Sequence, residues 1–419
     1  MKHITLEIPY GSSIIRAPIP AANLLGVFAP GKGGQVRDEM EILAEALAHP
    51  VGTPRLRDLA RPGQKVAIIT SDTTRPCPSD RLLPPVLDEL GAAGVSDGDV
   101  TVVAALGLHR AMTPSELEST VGTAVYERVR VINHDPADTV RLGVTSAGTP
   151  VEIFRPVVDA DLRVCLGNLE FHYFAGFSGG AKAILPGCAS PATVTANHAM
   201  MVRPGAVTGQ LEGNPVRADI EEGVAMLGVD FILNAVVDEQ RCVTGAVAGD
   251  VIAAHRQGCE LVAQRGTVSI PQRADIVLAG AGGYPRDLNL YQAQKALDSA
   301  AHAVQSGGVI VLVAECGGGF GNQTFETWMR DAFSPDDILE RIQRGFVLGG
   351  HKAAAFASVM KRARVYLVSA MPSDDVQRCG LVPFDDVSQG LRCALSEVGE
   401  GATVIALPVA GSSRPVVIQ

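Results

Sequence analysis

Short apolar runs separated by amphipathic stretches organise this chain. KVAIIT (65–70), TVVAAL (101–106) and LRVCLG (162–167) are apolar on successive positions, bounded by turn residues and too short for buried helices. Such runs read as strands covered on both faces, as in a parallel sheet. The stretches between them read as helices. Glu39–Ala48 is one, ended by Pro50, and LLPPVLDELGAAG is another, with its prolines near the first turn and Ser79 or Asp80 as its cap. Thr113-Pro114-x-Glu116 is a capped helix start. Before residue 60 the pattern is a short strand followed by turns. A second series begins near residue 270: strands at 274–285, 307–315, 363–370 and 402–408, and a helix at 288–303. The alternation predicts an α/β protein of two domains with mainly parallel sheets. We place the boundary at 267–273, giving an N-terminal domain over 1–268 and a Rossmann-like C-terminal domain over 269–419.

Composition narrows the class. A hydrophobic share of 47% against 19% charged over 419 residues describes a globular chain. The net charge of −10 argues against a nucleic-acid partner. The start, MKHITLEIPYG, lacks an apolar core of signal-peptide length, and no run approaches a membrane span. Eight cysteines without a C-x-x-C pair fit free thiols in a reducing cytoplasm.

The densest chemistry lies at 168–187, NLEFHYFAGFSGGAKAILPG, directly after the third apolar run. Its glycines are suited to a loop whose backbone approaches an anion, and Lys182 stands beside it as a point charge or a covalent amine. Neither common phosphate motif fits. A Walker A loop needs Gly-Lys followed by a hydroxyl, whereas Ala181 separates Gly180 from Lys182 and Ala183 follows. The dinucleotide spacing G-x-G-x-x-G is also missing, and in the later G-A-G-G-Y-P Pro285 takes the place of the third glycine. The competing reading is a glycine-rich turn packed between elements.

Open α/β sheets bind ligands outside the carboxyl ends of their strands. Three runs here end in reactive side chains: Asp72 and Arg75, His109 and Arg110, and His172. His198, in a helix-like stretch, is a fourth candidate, while His3, His49, His134, His255 and His302 read as surface or packing residues. No metal-binding spacing such as H-E-x-x-H occurs, so a metal on His198 would need donors from elsewhere.

At this point the chain resembles the nickel-dependent lactate racemases and their wider relatives, the 2-hydroxyacid racemases and epimerases. The matching blocks are SDTTRPCP, ALGLHRAMT, EFHYFAGFSGGAKAILPG, NHAM, EGNPVR and YQAQKAL, in family order over residues 71 to 297. The resemblance implies a nickel-pincer nucleotide, pyridinium-3-thioamide-5-thiocarboxylic acid mononucleotide, tethered through Lys182. It implies that His198 supplies the fourth nickel ligand and that Ser178, Gly179 and Gly180 help hold the nucleotide, with Asp72 orienting Arg75 or a cofactor group. It implies His109 and His172 as paired acid/base residues: one takes the hydroxyl proton as C2 gives a hydride to the cofactor, and the other returns a proton once the planar 2-ketoacid has accepted hydride on its other face. Imidazole suits both tasks. Arg75 and Lys295 would hold the substrate carboxylate, with Gln292 and Tyr291 completing a pocket in the interdomain cleft. The implied partners are a small 2-hydroxyacid and the enzymes that build the cofactor, and a homo-oligomer is left open.

One departure concerns the pocket tryptophan of the lactate enzymes. Its register falls near GGHKAAAF (349–356), with His351 or Lys352 in its place and the only tryptophan, Trp328, elsewhere. This suggests a roomier or more polar pocket and a larger or dicarboxylic substrate such as malate. Two other classes remain open on the residues alone: an NAD-type dehydrogenase or phosphohydrolase, and a non-catalytic protein binding nickel or a nucleotide or sugar phosphate.

Overall fold

Strand pairing, more than sequence order, decides how this chain divides. The computed structural model describes residues 2–31, 37–238 and 240–418. These form two compact units: one from residues 32–264, the other from residues 1–31 joined with 265–419. Both are α/β with a six-stranded, mainly parallel sheet.

In the middle unit the sheet runs Val243–Gly249, Phe231–Val237, Leu162–Asn168, Val66–Ser71, Val100–Ala105, Arg130–Asn133. The three strands expected from apolar runs are therefore neighbours, with Val66–Ser71 in the middle. Only Val243–Gly249 runs antiparallel. Side chains alternate across a strand, so Val66 and Ile68, Val100 and Val102, Leu162, Val164 and Leu166, and Phe231 and Leu233 share one face. Ile42, Leu43 and Leu47 of the Glu39–Ala48 helix and Leu82, Leu83, Val86 and Leu90 of the Ser79–Ala92 helix cover that face in one core.

Two local expectations change. The Ser79–Ala92 helix begins a turn before its prolines, at Pro78, without a side-chain cap. Ser79 instead turns inward and shares a 2.7 Å hydrogen bond with Thr70 at the end of the central strand. The capping box at Thr113 and Glu116 forms as expected.

In the other unit six parallel strands run Val382–Phe384, Arg364–Val368, Val304–Val313, Ala274–Gly280, Val404–Leu407, Leu24–Val27. The first residues were expected within an N-terminal domain over 1–268, and here they belong to this unit. The reason is physical. Leu24–Val27 is the edge strand beside Val404–Leu407, and the hairpin His3–Tyr10/Ser13–Pro20 buries Ile8, Ala17 and Ile19 in a core with Ile276, Val311 and Val404. All eight cysteines are free thiols. Among the described residues no helix is long and apolar enough to cross a membrane.

Candidate active site

The carboxyl ends of adjacent strands in the middle unit deliver the first groups. Val66–Ser71 leads into Asp72 and Val100–Ala105 leads toward His109, with Ser71 paired to Ala105. The Asp72 carboxylate, almost fully buried, accepts a 2.6 Å hydrogen bond from His109 Nδ1 and a 2.6 Å bond from the Thr74 hydroxyl. Burial pushes the Asp72 carboxyl upward, but the bonds from His109 and Thr74 outweigh it and leave the group below its ordinary range. A carboxylate only accepts, so the neutral ring of His109 carries its hydrogen on Nδ1 and its lone pair on Nε2. That is the state of a general base held by an acid partner. Asp72 was expected to orient Arg75 or a cofactor group, and its side chain bonds to His109 and Thr74.

Leu162–Asn168 leads into the glycine-rich loop. There Phe171–His172 pairs antiparallel with Gly176–Phe177 around a tight turn. Within the turn the Ala175 N–H donates to His172 Nδ1 at 3.3 Å, so this ring carries its hydrogen on Nε2. The two histidines are thus set in opposite tautomers. Burial drives the His172 pKa well down, reinforced by Lys182, Arg75, His198 and Arg217, so the ring holds a proton poorly.

Phe174, buried in the same turn, joins three of the expected groups. The His172 ring meets it edge-on at 4.5 Å between centroids, the His198 ring at 5.0 Å, and the Lys182 amine stands 5.8 Å from its centroid. Lys182 lies in the 3-10 turn Gly180–Ala183. Desolvation lowers its pKa well below the usual range, with Arg217 and Arg75 adding to the effect and Glu170 opposing it. His198 lies in the Pro191–Ala199 helix with its Nδ1 2.9 Å from Asn197 Oδ1. Arg75, exposed in the loop after Asp72, is electrostatically linked to Asp72, His172 and Lys182.

The glycine loop is shaped chiefly by protein, not by room for a ligand. A Cβ on Gly179 would stand 2.7 Å from Asn234 Oδ1, and one on Gly180 would stand 2.7 Å from the His255 ring. The Gly180 N–H donates to Asn234 Oδ1 at 2.7 Å. The Ser178 hydroxyl donates to the Asn168 carbonyl at 2.8 Å and accepts from the Glu170 N–H at 2.8 Å. The cofactor contacts expected of Ser178 and Gly180 therefore involve polar atoms that already fasten the loop to its strands.

Sequence reasoning overlooked the residues that hold this loop from outside. Asn214 donates to the Phe174 carbonyl at 2.9 Å, and Arg217 donates to the Ala175 carbonyl at 3.3 Å and to that of Phe177. Both belong to EGNPVR, and Arg217 is buried at the start of the Pro215–Ala225 helix. Burial lowers the Arg217 pKa to about 10. His255, read from sequence as a packing residue, donates from Nε2 to the Ser178 carbonyl at 2.8 Å, and burial followed by Arg217 holds its pKa well below normal.

Tyr291, Gln292 and Lys295 lie on the Leu290–Ala303 helix of the other unit. Tyr291 meets Phe325 and His351 edge-on at 5.7 and 6.3 Å, and Lys352 donates to Gln294 at 2.7 Å while standing 5.2 Å from the Tyr291 ring. His351 Nδ1 accepts from the Gly349 N–H at 3.0 Å. Trp328 is distant in sequence but not in space: a Cβ on Gly350 would stand 2.8 Å from its ring. The tryptophan therefore packs directly on the segment that carries His351.

His172 beside a lysine of lowered pKa, and His109 on a buried carboxylate at the carboxyl edge of the same sheet, are groups suited to moving protons. The comparisons with known proteins give the family. Residues 10–209 match the lactate racemase N-terminal domain and residues 270–413 the lactate racemase C-terminal domain. The chain is 35% identical over 416 residues to the lactate racemase of Thermoanaerobacterium thermosaccharolyticum, covering 96% of this chain and 97% of that one. It is 30% identical over 417 residues to the lactate racemase of Lactiplantibacillus plantarum, covering 97% and 98%. The structure of the lactate racemase apoprotein from T. thermosaccharolyticum superposes with a TM-score of 0.90 at 34% identity, covering 99% of this chain and 100% of that one. A crystal structure of a protein from Thermotoga maritima shares the fold, with a TM-score of 0.63 at 20% identity, covering 93% of this chain and 100% of that one. This chain belongs to the lactate racemase family and is an isomerase of the racemase type.

Proposed function

We propose that this protein interconverts the enantiomers of a 2-hydroxyacid, lactate or a larger or dicarboxylic relative, using a nickel-pincer nucleotide tethered through Lys182. The observation that carries the reading is the convergence of His172, His198 and Lys182 on one buried ring, Phe174. The residues suit such a group. A lysine held well below its usual pKa reaches the neutral, nucleophilic amine that a covalent tether needs. The guanidinium charges of Arg75 and Arg217 beside it favour an anionic nucleotide. Among the described residues no three His, Cys, Asp or Glu side chains are grouped to hold a metal ion, so His198 suits a metal whose other donors come with the cofactor. When bound, the cofactor supplies a reversible hydride acceptor at C2.

The chain's own residues then handle the proton and the carboxylate. His109 Nε2 takes the hydroxyl proton of one enantiomer, and Asp72 stabilises the resulting imidazolium at Nδ1. His172 serves the opposite face: to take up a proton there its ring must give up the bond from the Ala175 N–H, and its cationic surroundings then favour release of that proton to product. Arg75 binds the substrate carboxylate, since a guanidinium supplies both charge and orientation. Tyr291, Gln292 and Lys295 are assigned to substrate binding by the family resemblance, and His351, which meets the Tyr291 ring, is assigned there as the residue standing near the place of the family's tryptophan.

The test uses protein made alongside the cofactor-building enzymes. Enantiopure lactate and malate are followed by chiral chromatography, and the peptide bearing Lys182 is weighed. Racemisation of either acid with a nucleotide-sized adduct on Lys182 is expected. An unmodified lysine in a host that modifies a known relative would overturn the reading.

A further inference from the structure

Behind His198 lies a chain of buried polar groups that the reaction itself does not use. Asn197 is fully buried in the Pro191–Ala199 helix, and Asp219 is 2% exposed in the Pro215–Ala225 helix. The Asp219 carboxylate accepts from Asn197 Nδ2 at 2.7 Å, from the Thr149 hydroxyl at 2.9 Å and from the Thr145 hydroxyl. Asn197 Nδ2 also donates to the Val216 carbonyl at 3.2 Å.

This arrangement settles which way the Asn197 amide faces. Both of its N–H hydrogens are directed at acceptors, one on Asp219 and one on Val216, so the amide oxygen must face the ring of His198. A carbonyl oxygen only accepts. The hydrogen between them therefore sits on His198 Nδ1, and the lone pair sits on Nε2. A buried carboxylate is costly to desolvate, and an apolar residue would pack the same space without that cost. Asp219 is explained if it is there to fix the amide.

We propose that Asn197 and Asp219 are positioning residues that lock His198 in the Nδ1–H tautomer and so present Nε2 as a neutral donor to the metal. This rests on His198 being the nickel ligand proposed above. Metal-bound histidines are commonly oriented through the nitrogen that does not bind, and loss of such a partner weakens metal binding by about 10–100-fold. Here the orienting group is an amide, itself oriented by a carboxylate one helix away.

The experiment has two readouts. The first is the ring nitrogen pattern of His198 in cofactor-free protein labelled with ¹⁵N-histidine, recorded by long-range ¹H–¹⁵N correlation at pH 7.5 and assigned with His198→Gln. The wild type is expected to show a protonated Nδ1 and an unprotonated Nε2, and Asn197→Ala and Asp219→Ala to show a mixture. A wild-type ring protonated on Nε2, or on both nitrogens, overturns the proposal, and this needs no variant to fold. The second readout is nickel retained by loaded protein during dialysis against a chelator. Both variants are expected to lose it about tenfold faster or more. Retention and ring pattern equal to wild type in both variants also overturn the proposal. His198→Ala separates the two ideas: if it retains nickel as firmly as wild type, the ligand assignment fails, while the wild-type spectrum still decides the tautomer.

Discussion

His109 lies partly exposed beside a buried carboxylate, whereas His172 lies among cations in a loop clamped by backbone bonds. The first ring bonds through Nδ1 to the Asp72 carboxylate 2.6 Å away. The second loses by becoming charged, because burial and then Lys182, Arg75, His198 and Arg217 all oppose the charge. A racemase must treat two mirror-image substrates alike, yet these two bases are not equivalent. Their neighbours, not their residue type, set the two apart.

Several substitutions would break or sharpen this contrast. Lys182→Ala removes the proposed tether and is expected to bring racemisation to background with no adduct by mass, leaving both histidines in place but idle. His109→Gln and His172→Gln should each cost about 10²–10⁴-fold in kcat. Full activity from either one would show that a single ring serves both faces. Asp72→Asn tests the partner rather than the ring. It leaves His109 in place but offers an amide that can present the wrong polarity to Nδ1, so kcat should fall by about 10²-fold or more with little change in thermal unfolding.

The clamp on the His172 side should behave differently. Asn214→Ala removes both a helix cap and the bond to the Phe174 carbonyl, at a cost of about 1–3 kcal/mol in denaturant unfolding. Activity should fall with it, since the turn that carries His172 is loosened. An Asn214→Ala protein of wild-type stability would mean that the loop is held by other contacts.

At neutral pH the smallest effect is that of His134, which shows only on acidification. His134 is buried edge-on to Phe154, and burial lowers its pKa to about 4. The folded value lies below the unfolded value of about 6.5, so the unfolded chain binds the proton first. The stability involved is fully present above pH 6.5 and is lost as pH falls toward 4. His134→Leu should flatten stability against pH in that window by about 1.4 kcal/mol per pH unit.

The parallel sheet and its reactive edge were legible because buried strands write themselves as apolar runs and the next polar residue marks the edge. Asp72, His109 and His172 were placed at that edge in this way. Their relations were not legible. The pairing of Asp72 with His109 spans 37 positions and that of Arg217 with Phe177 spans 40, and a single sequence carries no signal for such partners. The internal partners of Ser178 and the glycines were hidden for a related reason. The loop's composition resembles a ligand cradle, but Asn234 and His255, more than fifty residues on, fill the space. The family resemblance supplied roles for Lys182 and His198 that spacing alone could not.

The edge strand Leu24–Val27 has a consequence for how the molecule is made. Its neighbour Val404–Leu407 is synthesised about 380 residues later. At roughly 5–20 residues per second that is a wait on the order of tens of seconds. During it Ile8, Ala17 and Ile19 lack the core they finally join, and an unpaired hydrophobic hairpin is a surface on which nascent chains aggregate. The middle unit has no such wait, because all six strands of its sheet lie between Val66 and Gly249. It should be the first part to resist protease on the ribosome. A fragment cut at the sequence-based boundary would carry the orphaned hairpin with it, whereas one spanning 32–264 would not.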